Sequence, residues 1–83
     1  MNKHDTLEAA LASREEEIFN YQVNIDNYAR AIAKIKAEHA GKPGMSEFAA
    51  NLSGLLESSK TEQLKAIIIR DVIADQLAEL RPS

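Results

Sequence analysis

The chain has 83 residues, thirteen acidic and ten basic, for a net charge of -3 at pH 7; this is room for one domain that buries about 60 to 65 per cent of its unfolded surface, and the acidic balance argues against nucleic acid as the main partner. Hydrophobic residues make up 45 per cent, with no Trp and only two Tyr and two Phe, so any core is aliphatic and suited to a helical bundle. The absence of Cys excludes disulfide scaffolding, thiolate catalysis and Cys-ligated zinc.

Asn2, Lys3, His4 and Asp5 follow Met1 with no apolar segment behind them, so no signal peptide is expected. The longest uninterrupted apolar runs, 9–12 and 66–69, hold four residues each, against about 20 for a membrane span. The expected setting is cytoplasmic, without membrane contact.

The first predicted element is a long helix over 5–40. Leu11, Ile18, Ile25 and Ile32 recur every seven positions, interleaved with Leu7, Tyr21, Tyr28 and Ile35, and with Arg14 as the one charged intruder. That spacing is a coiled-coil seam. Asp5 is the expected N-cap and Glu8 its reciprocal capping-box partner. Glu15, Glu16 and Glu17 lie in the first half, and Arg30, Lys34 and Lys36 in the second. Gly41, suited to a left-handed cap, and Pro43 stop the helix.

A tight connection over 41–44 joins antiparallel neighbours. A second helix is expected over 46–80 with Ser46 as its N-cap, and Phe48, Ala49, Leu52, Leu55 and Leu56 fall on one face of it. The seven-residue repeat runs through Leu52, Ser59, Ala66, Ile73 and Leu80, with Phe48, Leu55, Glu62, Ile69 and Gln76 between them. Its middle, 58–62, is polar and reads either as a break at 58–61 with Ser59 capping a third helix, or as a continuous helix with a hydrophilic layer; the register shared by both flanks predicts continuity. Leu64, Ile67, Ile68 and Val72 add a second apolar stripe that one partner helix cannot cover. The β-branched run 67–69 has no second strand to pair with, so a strand there is not expected. Arg81 and Pro82 end the helix.

The expected architecture is all-α: one helical-hairpin domain over 1–83, dimerising into a four-helix bundle or an antiparallel coiled coil. Folding at the turn sets residues whose numbers sum to about 86 opposite each other. The seam is assigned to Leu7, Leu11, Ile18, Tyr21, Ile25, Tyr28, Ile32, Ile35, Leu64, Ile67, Ile68 and Val72. An antiparallel pairing of the first helices of two copies would set Glu8 against Lys36.

Three site candidates follow. Tyr28, Ser59 and Glu62 form a possible polar layer that fixes helix register, the Tyr28 hydroxyl bonding one of the other two. Arg30, Lys34, Lys36 and Lys42 are a possible nucleic-acid contact, diluted by Glu38 and by the overall acidity. His4 and His39, at opposite ends of the first helix, lack the glutamate three positions earlier that di-iron bundles use, so no metal or other cofactor is expected. No base is placed beside a nucleophile, so no catalytic residues are assigned. The reading is a small non-enzymatic, homodimeric protein acting through protein contacts as an accessory or regulatory factor; the alternative is an RNA- or DNA-binding hairpin dimer that uses the basic second half of the first helix.

Overall fold

The computed structural model describes residues 2–81. Two helices make up almost all of it, α1 over Lys3–Glu38 and α2 over Met45–Glu79, and no strand occurs among the described residues. They fold back on each other as an antiparallel hairpin, a rod 62 × 21 × 14 Å.

Asn2 rather than Asp5 caps α1: its side-chain Oδ1 accepts a hydrogen bond from the Asp5 backbone N–H at 2.8 Å. Both residue types cap well, and the earlier one adds most of a helical turn. Asp5 then sits in the first turn, where its charge suits the helix dipole, and Glu8 lies 3.3 Å from His4 Nε2. The C-terminal end comes at Glu38 with His39 as cap, two residues earlier than expected.

The reversal uses glycine twice, Gly41 at φ +82° and Gly44 at φ +81°, a backbone region that costs an L side chain about 1–2 kcal/mol. Gly44 is the N-cap of α2, with no side-chain capping bond, and its carbonyl accepts from the Phe48 N–H at 3.1 Å. Ser46, the expected cap, is therefore the second residue of the helix. The left-handed Gly44 starts the helix at once, so Met45 reaches the seam half-buried.

α2 runs unbroken through 58–62. Thr61 Oγ1 donates to the Glu57 carbonyl at 3.2 Å, satisfying that hydroxyl inside the helix instead of breaking it. The helix ends at Glu79 with Leu80 as cap; the expected role of Pro82 lies outside the described residues.

On α1 the buried and half-buried positions include Leu7, Leu11, Arg14, Ile18, Tyr21, Ile25, Tyr28, Ile32 and Ile35, the row its seven-residue pattern predicts. Arg14 fits because its guanidinium turns to Glu17, with Nη1 donating to Oε2 at 2.9 Å. On α2 one predicted row is right as far as Leu52, Ser59, Ala66 and Ile73. The companion row is displaced by one residue: Ala49, Leu56, Gln63, Arg70 and Leu77 face α1, while Phe48, Leu55, Glu62 and Ile69 turn outward. The displacement sets Ala49 in place of Phe48 against α1 near the turn, and Gln63, which bonds Gln22 and the Ile18 carbonyl, in place of Glu62.

The row of α1 that the seven-residue pattern marks thus packs against α2 of the same chain, as folding at the turn predicts. Ile25, Ile35, Leu52, Ala66 and Ile73 are buried, yet no side chain among the described residues is fully enclosed. Two helices alone make a seam rather than a core.

Candidate functional site

Rotating α2 by one residue decides what the hairpin shows to its surroundings. Exposed large apolar side chains gather on α2, with Phe48 at 47 %, Leu55 at 49 %, Ile69 at 44 % and Val72 at 49 % exposure, joined by Leu64, Ile68 and Leu80. Leu64, Ile68 and Val72, expected in a seam, are therefore open in the single hairpin, while Ile67 is half-buried.

The two flanks of the hairpin differ. One carries Phe48 beside Ala31, Lys34, Ile35, His39, Lys42, Pro43 and Met45, which line a groove of about 470 Å³ next to the turn. Its floor is apolar and its rim cationic. The other flank is mixed: near the open end His4, Glu8, Ala12 and Glu15 meet Leu11, Leu77 and Arg81, and near the turn Lys36 and Ser46 lie beside Ile35, Ala40, Met45 and Ala49.

The expected polar layer does not assemble inside the hairpin. Glu62 is exposed and takes a 3.0 Å contact from Lys65 Nζ, a pair one turn apart on the same helix. Tyr28 and Ser59 are both half-buried, but no hydrogen bond joins Tyr28 to Ser59 or Glu62 among the described residues. The polar link between helices comes from Gln63, whose Nε2 donates to Gln22 Oε1 at 2.9 Å and to the Ile18 carbonyl at 3.3 Å. Sequence reasoning missed it, although one signal was present. A seam that contains Ser59 continues either to position 62 or to position 63, and Gln63 is long enough to reach across.

The four cations do not form one surface. Lys34 lies on the Phe48 flank and is held by Glu38 at 2.8 Å, whereas Lys36 lies on the opposite one. Lys42 Nζ sits 2.9 Å from His39 Nδ1 at the turn. Arg30 and Lys36 have no hydrogen bond or ion pair among the described residues.

No charged or polar residue is buried, and no cluster of three or more His, Asp or Glu is placed to hold a metal, among the described residues. None of the described helices is long and apolar enough to cross a membrane. No protein-family model, curated protein or solved structure matches the chain.

Proposed function

We infer that the chain is a non-enzymatic helical hairpin that pairs with a second copy to form a four-helix bundle and works through protein contacts as an accessory or regulatory factor in the cytoplasm. The observation that carries this reading is the outward apolar surface of α2 on a hairpin with no enclosed core. Solvent-exposed apolar stripes of this extent are characteristic of contact surfaces, and burying them adds what two helices cannot supply by themselves. Light scattering or sedimentation at micromolar concentration tests it: the expected mass is twice the 9.2 kDa of one chain, with high helicity by circular dichroism. A helical species of single-chain mass would overturn it.

A second reading, RNA or DNA binding, is favoured by the unpaired Arg30 and Lys36. It predicts binding that falls steeply with salt, and recovery of partners from the native host that is lost on nuclease treatment.

A further inference from the structure

We propose that the second copy packs on the Phe48 flank of α2, antiparallel, with Glu62 and Lys65 meeting their counterparts at the two-fold axis; this deepens the dimer reading and rests on it. Leu55, Glu62, Lys65, Ile69 and Val72 lie on one line of α2 at coiled-coil spacing, a second seam beside the one that faces α1. Laid antiparallel on itself about a two-fold axis between positions 63 and 64, the line sets Leu55 against Val72 of the second copy, Ser58 against Ile69, and Glu62 against Lys65, each contact occurring twice.

Charge selects this arrangement over its neighbours. A parallel pairing stacks Glu62 on Glu62 and Lys65 on Lys65. Sliding the antiparallel pairing by one heptad sets Leu55 against Lys65 in one direction and Glu62 against Val72 in the other, so the opposite-charge pairs at the axis are lost. The whole rod agrees: residues 27–57, at the turn end, hold four basic against three acidic groups, whereas the remainder holds six against ten. Antiparallel packing lays the basic end of each copy over the acidic end of the other.

The groove at the turn finds an occupant in the same alignment. Phe48 falls opposite Glu79 of the second copy, so the exposed Leu80 enters the apolar floor while Glu79 meets the rim formed by His39 and Lys42.

The chain has no cysteine, which makes cross-linking clean. Chains carrying Leu55→Cys and chains carrying Val72→Cys are mixed, refolded together and gently oxidised, with mass read by scattering and helicity by circular dichroism. The mixed disulfide should predominate. If the protein is dimeric but disulfides join like chains, or none forms, the face or alignment is wrong while the dimer reading stands; a helical monomer removes both. Charge exchange provides a second measurement on exposed residues. Glu62→Lys alone and Lys65→Glu alone should each weaken dimerisation about tenfold, and the double exchange should restore it. A double variant as weak as the worse single one would overturn the two-fold contact.

Discussion

The two helices are nearly equal in length, 36 and 35 residues, yet they stand in different relations to their surroundings. α1 places its large apolar residues in one row and gives that row to α2, leaving only Phe19 and Val23 substantially exposed. α2 covers that row and still presents six large apolar side chains outward, with Leu80 exposed at its cap. α1 is covered by the hairpin and α2 is not, so the exposed apolar surface of the molecule lies mainly on α2. A helix with apolar residues on several faces is at home inside a larger bundle.

The strongest way to break this contrast is to load the satisfied row. Ile25, buried between the helices, replaced by Asp puts an unpaired carboxylate in the seam, a change of roughly 3–5 kcal/mol. Loss of helicity at room temperature is expected by circular dichroism; an unchanged melting curve would mean the seam is looser than its geometry. Ile73→Ala should cost about 2–3 kcal/mol in urea denaturation, at the lower end for buried apolar truncations because the site is close to solvent.

The unsatisfied face should respond differently. Changing Leu55, Ile69 and Val72 together to Ser should leave the secondary structure at high concentration intact while weakening self-association by about 3 kcal/mol, near a hundredfold, at about 0.5 kcal/mol for each of the six partly buried side chains of a dimer. If sedimentation detects no change in mass distribution, the exposed stripe is not the contact surface.

Smaller effects sharpen the picture. Ala at Gly41 or Gly44 should cost about 1–2 kcal/mol in thermal unfolding, and the cause is backbone strain alone, since a Cβ at either position meets nothing within 4 Å. Gln63→Ala removes the hydrogen bonds to Gln22 and Ile18 and should cost about 0.5–1.5 kcal/mol. Glu62→Ala should leave the stability of the single hairpin within about 0.5 kcal/mol, because its partner Lys65 is on the same exposed helix surface. Comparable losses at Gln63 and Glu62 would mean that α2 is rotated back toward the expected face.

Local signals were easy to read in the residues. Gly41 with Pro43 marked the reversal, and a seven-residue repeat broken only by Arg14 marked α1 and its packed row, because spacing along one helix is a property of that helix alone. The cap positions were harder: Asn2 competes with Asp5, and Gly44 with Ser46, as alternatives of similar local energy. The outcome was settled by whichever gave the longer helix or the tighter turn.

The sequence by itself determined two helices, their antiparallel connection and the face that α1 packs. Only the tertiary structure decided the rotation of α2, and with it the inward placement of Gln63 and the outward placement of Phe48, Leu55, Ile69 and Glu62. Periodicity sets the spacing of a packed row but not its phase when apolar residues surround the helix. What separates the two phases is what each sets against α1, Ala49 in place of Phe48 and the cross-helix donor Gln63 in place of Glu62, a relation between two helices that neither carries alone.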